Sequence, residues 1–272
     1  MGVLYHRVSD RLTGTWTSPT GTPRTGYGAS NVQSGDPSTP YWVTGTSFRL
    51  VCDLGSAKQV DEVYVFGHNL SNSAGLHIQL NASNTWSGPD CDVAVTIPTP
   101  YEDGFTYNVR ASFKTAYPTA GNRTKRYVSL YNASANAATC YIGEVWIATT
   151  TRTFSGVRYG FSQLRTRIAS PASSKKGVVT MYDYGSYNRS LSLEFPFTDA
   201  EYDDARSLEI DAHGPVYGFP IVLDDGNAKA RFAEPMYVRF LSSLTNAPYQ
   251  FTSQIPAKVE LGELGIGSTL GA

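Results

Sequence analysis

Apolar and polar residues alternate over short runs along most of this chain, which is the pattern of half-buried β-strands. The runs are rich in β-branched and aromatic residues, and clusters of Gly, Pro, Asn and Ser separate them. The predicted strands cover residues 48–52, 60–67, 77–80, 93–97, 126–131, 140–148, 159–168, 178–182, 191–197, 216–223, 231–241 and 257–264. A polar turn joins the first two of these strands, and we interpret them as a hairpin in the core.

One segment has helical spacing instead. Thr198 followed three residues later by Glu201 is a capping-box sequence, and it predicts that a helix begins here. The helix has an apolar stripe of residues spaced by three, namely Tyr202, Ala205 and Leu208. His213-Gly214-Pro215 ends it. The sequence therefore predicts a mainly β protein with one inserted α-helix.

The composition supports this class and narrows the partners. Among 272 residues, 17% are charged, while 18 are Tyr and 25 are Gly, which favours strands and turns. The formal net charge of −1 provides no basic surface, so neither nucleic acid nor an anionic membrane is a predicted partner. No apolar run has the length of about 18 residues that a membrane span needs. The first residues lack the apolar region of a signal peptide, so we expect synthesis in a cytoplasm.

The chain contains three cysteines, Cys52, Cys91 and Cys140, without the spacing of a metal site. We expect three buried thiols. A disulfide between Cys52 and Cys140 is the alternative if the chain enters an oxidising compartment.

A short polar segment, residues 149–153, follows the strand at 140–148 and is the best candidate for a domain boundary. We predict one domain over residues 1–150 and a second over residues 151–272.

Four features of the first domain occur in a characteristic order. A strand ending in Asp53-Leu54-Gly55 follows a loop rich in Gly, Asp and Pro, then come an Arg126-Tyr127-Val128 strand and a last strand that carries Glu144. Over residues 25–148 the chain resembles the discoidin domain, the galactose-binding-like domain of coagulation-factor C type. This resemblance implies a jelly-roll β-sandwich of about eight strands, whose end loops bind sugars, lipids or proteins.

The resemblance also implies a calcium loop, which in this family reads D-G-x-x-x-T before a Trp and is completed by a Glu. The matching residues are Gly35, Thr39, Trp42 and Glu144. Ser34 stands where the family has Asp, which weakens an oxygen site that depends on charge. The implied calcium ligands are Asp36, Thr39 and Glu144. Alternatively, the loop is held by its own turn hydrogen bonds.

Several aromatic residues fall in or beside predicted loops, where a ring can stack on the face of a sugar. The candidate ligand-binding residues are Tyr27, Asp36, Tyr41, Trp42 and Trp86. Alternatively, Trp42 and Trp86 pack beneath the ends of the sandwich.

No catalytic motif supports an enzyme. The four histidines are scattered along the chain, and no zinc-protease, serine-hydrolase or P-loop sequence occurs. The acid pairs Asp203-Asp204 and Asp224-Asp225 are interpreted as solvated acids rather than as the two carboxylates of a glycosidase.

The second domain, with its strands and single helix, is similar to the β-barrel-plus-helix modules of phage tail-tube and tail-tip proteins. This similarity implies a structural component of a bacteriophage tail, located in the virion at the distal tail. Its partners would be other tail proteins and copies of itself in a ring, meeting at residues 170–177 and 260–272. The first domain would face outward and bind a host-surface saccharide. The alternative is a carbohydrate-binding module of a secreted protein, and a hydrolase with an unrecognised site is a third hypothesis.

Overall fold

The computed structural model describes residues 2–37, 39–97, 108–154, 162–173, 179–224, 235–246 and 255–264. Residues 174–177 of the predicted subunit contacts, and those from 265 onward, lie outside the described residues.

The described chain is mainly β-structure, as predicted. In chain order the strands are β1 (Gly2–Tyr5), β2 (Arg11–Leu12), β3 (Thr15–Thr20), β4 (Tyr41–Trp42), β5 (Arg49–Gln59), β6 (Glu62–His68), β7 (Leu76–Asn81), β8 (Cys91–Val95), β9 (Val109–Ser112), β10 (Thr124–Asn132), β11 (Tyr141–Ala148), β12 (Arg152–Phe154), β13 (Ser162–Ser173), β14 (Val179–Phe197), β15 (Phe219–Asp224), β16 (Met236–Phe240), β17 (Thr245–Asn246) and β18 (Ile255–Glu263). The helices are α1 (Phe113–Ala116) and α2 (Asp199–Asp211), and single 3-10 turns lie at Val8–Asp10, Ala29–Gln33, Asn72–Ala74 and Ala120–Arg123.

The first half forms a β-sandwich of two antiparallel sheets. The outer sheet has five strands in the order β3-β5-β10-β7-β8. The middle sheet has the order β2-β11-β6-β9, and β4 pairs with β11. Alternate residues of both sheets, such as Leu50 and Ile78 from the outer sheet and Val63 and Val145 from the middle sheet, fill one apolar core.

The strands β5 and β6 do not form the predicted hairpin, because they belong to different sheets. The segment between them carries the chain across the edge of the sandwich. Val60 is buried in the core, and the Asp61 carboxylate accepts a hydrogen bond of 2.8 Å from Arg123 Nε. The polar segment that the sequence predicted as a hairpin turn is therefore the place where the chain crosses from the outer sheet to the middle sheet.

The two longest strands of the middle sheet, β6 and β11, are buried on both faces. Every residue of β6 is buried; Val63 and Val65 face the sandwich core, whereas Tyr64 and Phe66 join a second core with the C-terminal strands. Trp146 of β11 also packs in this second core. This explains why these two strands are apolar at nearly every position.

The C-terminal sheet has eight strands along the order β12-β1-β15-β16-β18-β14-β13, with β17 beside β18. β15 and β16 pair antiparallel, as predicted for residues 216–223 and 231–241. The strands predicted at 178–182 and 191–197 are parts of the single strand β14. The sequence predicted a barrel, whereas the path of the described strands ends at β12 and β13.

The two halves share structure across the predicted boundary. β1, from the start of the chain, lies between β12 and β15 in the C-terminal sheet. The ring of Tyr237 stacks on Phe66 at 5.1 Å and lies 5.8 Å from Trp146. The division at residue 150 stays a prediction, and any test of it must account for this shared core.

Helix α2 begins as the sequence predicted. The Thr198 side chain accepts a hydrogen bond from the Glu201 backbone N–H, and the Glu201 carboxylate accepts one from the Thr198 backbone. Ala205 and Leu208 pack into the second core. The helix ends where His213 and Gly214 take left-handed conformations, with φ of 50° and 63°.

Two further predictions concern thiols and membranes. Cys52, Cys91 and Cys140 are free and buried, as expected, and burial raises the pKa of Cys52 to about 12. Neither helix among the described residues has the length and apolar character needed to cross a membrane.

Candidate functional site

The predicted calcium residue Glu144 lies in β11, fully buried on the face that meets the C-terminal sheet. Its Oε1 accepts a hydrogen bond from Arg11 Nη2 in an ion pair, and its Oε2 accepts one from the Gly35 backbone N–H at 3.0 Å. Burial raises the pKa of Glu144 to about 7, although Arg11 and the Gly35 N–H favour the charged form. The guanidinium of Arg11 in turn lies 4.5 Å from the centre of the Trp146 ring.

The other two implied calcium ligands lie on the exposed loop. The Thr39 hydroxyl donates to the backbone oxygen of Asp36 at 3.2 Å, and Ser34 Oγ accepts from the Asp36 backbone N–H at 3.2 Å. These are the turn hydrogen bonds of the alternative interpretation. Both oxygens of Glu144 are engaged, so the side chains as placed do not fit a calcium site. Within the described ranges, no group of three or more His, Cys, Asp or Glu residues is placed to hold a metal ion. The absence of a bound calcium stays a prediction.

Two of the predicted ligand-binding rings are packed by protein side chains. Tyr41 is fully buried, and its hydroxyl lies 2.7 Å from Ser18 Oγ. Trp42 is half-buried, the Arg24 guanidinium lies 3.9 Å above its ring, and its Nε1 donates to Thr139. Tyr27 meets the edge of Trp42 at 5.6 Å. This arrangement is the packing expected for aromatic residues at the end of a sandwich.

Trp86 is placed differently. It lies between β7 and β8 and is half-buried, and the centre of its ring is 5.6 Å from the guanidinium carbon of Arg49 on the outer sheet. Its Nε1 donates to Asn84 Oδ1 at 2.9 Å. Trp86 thereby joins a group of outer-sheet residues that we call the outer-face cluster, which consists of Arg49, His77, Gln79, Trp86, Asp92, Ser129 and Tyr131.

The pairing of the strands brings this cluster together. Tyr131 of β10 is opposite Arg49 of β5 and His77 of β7, and Ser129 is opposite Gln79, which is itself opposite Asp92 of β8. Cross-strand partners point to the same face of a sheet. The neighbouring residues Leu50, Ile78 and Leu130 point into the sandwich core, so the cluster occupies the opposite, outward face.

Hydrogen bonds connect the cluster across four strands. Arg49 Nη1 donates to Gln79 Oε1 at 3.1 Å and to Ser129 Oγ at 2.9 Å. Gln79 Nε2 donates to Asp92 Oδ2 at 2.8 Å, and Asp92 Oδ1 lies 2.9 Å from His77 Nδ1. The Arg49 guanidinium lies 4.2 Å above the Tyr131 ring. A fixed cation therefore lies among aromatic rings on the outward face.

Burial differs within the cluster. Gln79 and Ser129 are buried, Arg49, Trp86 and Tyr131 are partly exposed, and Asp92 is exposed. Partial burial lowers the pKa of Arg49, although Tyr131 and Asp92 favour its charged form. The pKa of Tyr131 is raised by burial and by the nearby Asp92 charge. Such a surface offers ring faces, N–H donors and a carboxylate acceptor to a ligand.

Of the predicted acids, Asp204 is not simply solvated. It forms ion pairs with Arg7 and, at 3.4 Å, with Arg152, and it accepts a hydrogen bond from Tyr5. Asp204 thus links α2 to the strands of the C-terminal sheet. Asp203 is exposed, as expected. Asp225, in the second predicted pair, lies outside the described residues.

No protein-family model matches the chain. No curated protein matches it either. Solved structures match about half of it. Chitosan-binding module 1 of a chitosanase/glucanase from Paenibacillus sp. IK-5 is 18% identical over 53% of this chain and 98% of that chain, with a TM-score of 0.35. The lectin domain of lectinolysin, complexed with Lewis B antigen, is 14% identical over 50% of this chain and 93% of that chain, with a TM-score of 0.37. A fucose-binding module from Streptococcus pneumoniae is 12% identical over 51% of this chain and 96% of that chain, with a TM-score of 0.37.

At identities and TM-scores this low, these likenesses carry no argument about function. The pairing of the strands itself establishes the β-sandwich.

Proposed function

We propose that the sandwich binds a saccharide on the outward face of its outer sheet. The observation that carries this proposal is the outer-face cluster, where Trp86 and Tyr131 flank Arg49 beside Gln79 and Asp92. The apolar face of a sugar packs on aromatic rings, and its hydroxyl groups pair with planar polar side chains. The cluster combines both kinds of group within hydrogen-bonding reach of one another.

The burial of the two sheets favours this face over other surfaces of the sandwich. The middle sheet is covered on both sides, by the sandwich core and by the C-terminal strands. Among the end-loop candidates, Tyr41 is buried, and Trp42 is contacted by three side chains, those of Arg24, Tyr27 and Tyr141. The outer sheet carries partly exposed polar and aromatic side chains on its outward face.

This proposal corresponds to the alternative of the sequence analysis, a carbohydrate-binding module, more than to the phage-tail component. The tail location, the ring of copies and the tail-protein partners stay predictions. Detection of the chain in purified phage particles would test them.

A non-catalytic binding role fits the cluster, since its one carboxylate, Asp92, is held by Gln79 and His77. The absence of enzymatic activity stays a prediction.

A glycan microarray followed by calorimetry on the best oligosaccharide tests the proposal. Trp86→Ala should weaken binding about tenfold or more, because a tryptophan at the centre of a site contributes strongly to affinity. Trp42→Ala is the matched control, since it removes the same ring from a different cluster and should bind the sugar like the unchanged chain. Equal affinity of the Trp86 variant, or no binding of any glycan, would overturn the proposal.

A further inference from the structure

We infer that the outer-face cluster selects a sugar ring that carries a carboxylate, which Arg49 binds through its free edge. The inference rests on the proposed saccharide binding and adds the chemical class of the sugar. Three observations carry it: Arg49 forms no direct ion pair with a described residue, its guanidinium has unused donors, and its side chain is held in place.

The neighbouring basic residues contact a carboxylate directly, whereas Arg49 interacts with Asp92 only at longer range. Arg126 forms two hydrogen bonds of 2.8 Å with Asp53, and it holds the pKa of that carboxyl at about 2. Lys125 lies 2.8 Å from Asp90. Arg49 has no ion pair with any described residue. The acidic residue of its own cluster, Asp92, bonds to Gln79 and His77 instead.

The donors of Arg49 are divided between its two edges. Both bonds that it makes to described residues start from Nη1. Neither Nε nor Nη2 has a hydrogen-bond partner among the described residues, and the side chain is partly exposed. These two nitrogens present parallel N–H groups, which match the two oxygens of a carboxylate in a bidentate pair.

The side chain is oriented before any ligand arrives. Its guanidinium lies on the Tyr131 ring, and Nη1 is anchored by Ser129 and Gln79. Gln79 is itself 2% exposed and fixed by Asp92. A donor held in its bound orientation loses little conformational freedom on binding, and this favours affinity.

The rings specify what the carboxylate is attached to. The centre of the Trp86 ring lies 5.6 Å from the guanidinium carbon of Arg49, and the centre of the Tyr131 ring lies 4.2 Å from it. A pyranose whose carboxylate pairs with Arg49 would extend its apolar face over Trp86, because the Tyr131 ring already contacts Arg49 and His77. A uronic acid or a sialic acid has this combination, whereas a simple carboxylic acid lacks the ring face.

The test uses oligogalacturonate, oligomannuronate and a sialylated oligosaccharide, each paired with the same oligosaccharide after reduction of its carboxyl groups to alcohols. Titration calorimetry of the full chain should show at least one acidic form binding about tenfold or more tightly than its reduced form, since the carboxylate adds charge-assisted hydrogen bonds to Arg49. This preference should weaken as salt is added.

Two variants locate the preference. Arg49→Lys keeps the charge but loses the bidentate edge and the stacking on Tyr131, so it should remove most of the difference between acidic and reduced forms. Arg126→Lys is the matched control on the same sheet, and it should leave that difference unchanged. Melting temperatures of both variants show whether the fold is intact.

The outcomes separate the two proposals. If a reduced oligosaccharide binds as well as its acidic form, and Trp86→Ala weakens both, saccharide binding stands and selection by Arg49 is overturned. An acidic preference that survives in Arg49→Lys also overturns it. If acetate competes as well as the sugar, the site binds carboxylates without a sugar ring, and the inference is overturned. If none of the oligosaccharides binds, the inference fails together with the proposed function.

Discussion

Replacing Arg11 by methionine would leave the buried Glu144 carboxylate without its cationic partner. Removing one member of a buried ion pair costs about 3–5 kcal/mol of unfolding free energy, because an uncompensated charge remains. The Gly35 N–H still bonds to Glu144, and methionine retains part of the packing against Trp146. We therefore expect a loss at the lower end, about 3 kcal/mol at pH 8.

This loss should depend on pH with a definite sign. The pKa of Glu144 is raised from 4.5 to about 7 in the folded chain, so the folded state binds its proton more tightly than the unfolded state. Its contribution to stability is therefore greatest below pH 4.5 and declines as the pH rises to about 7. Without Arg11 the folded pKa rises further, and the decline continues above pH 7. Arg11→Met should consequently cost less at about pH 5 than at about pH 8.

Denaturant unfolding at both pH values measures the effect. The double variant Arg11→Met/Glu144→Leu replaces the pair by apolar groups and should recover most of the lost stability, whereas Glu144→Leu alone leaves Arg11 unpaired. A loss below about 1 kcal/mol at pH 8, or an equal loss at both pH values, would refute the argument. About 1 mM calcium should not shift the melting temperature of the unchanged chain, since both Glu144 oxygens are engaged. A clear increase in the melting temperature would show that calcium binds, as the resemblance implies.

Two other predictions concern His6 and the predicted boundary. Burial lowers the pKa of His6 from 6.5 to about 4, so stability should fall by up to about 3 kcal/mol as the pH drops through this window. His6→Gln should lack this fall in denaturant unfolding, and an identical pH profile would contradict the assignment. A fragment of residues 1–150 should expose Phe66 and Trp146, which pack on the C-terminal strands in the whole chain, and should therefore bind a hydrophobic dye and self-associate. A monomeric fragment that binds no dye would show that the sandwich is independent.

Local patterns in the sequence predicted the elements well because their causes are local. The cap of α2 depends on Thr198 and Glu201, three residues apart, and the structure contains both of its hydrogen bonds. Whether the strands β5 and β6 pair with each other depends on distant residues. Asp61 binds Arg123, far along the chain, and this contact accompanies a crossing between sheets where the sequence suggested a hairpin.

The candidate site was predictable only in part, for a similar reason. Trp86 stood out as an aromatic residue in a loop, but Arg49, Gln79 and Tyr131 lie within strands. Each alternates with core residues, so the sequence does indicate that these three face outward. Their meeting depends on the registers of β5, β10 and β7. The register between two strands depends on both of them, so no single segment of the sequence predicts it. The cluster can therefore be identified only from the folded structure.

The position of β1 has a consequence for the order in which the chain can be completed during synthesis. Residues Gly2–Tyr5 pair on one side with residues 152–154 and on the other with residues 221–224. At a translation rate of about 5–20 residues per second, the second neighbour leaves the ribosome some 10–40 s after β1. During that interval β1 lacks one of its two neighbouring strands, and the apolar face of the middle sheet is not yet packed against the C-terminal strands. A chaperone that binds nascent chains should therefore act on this protein until β15 has emerged.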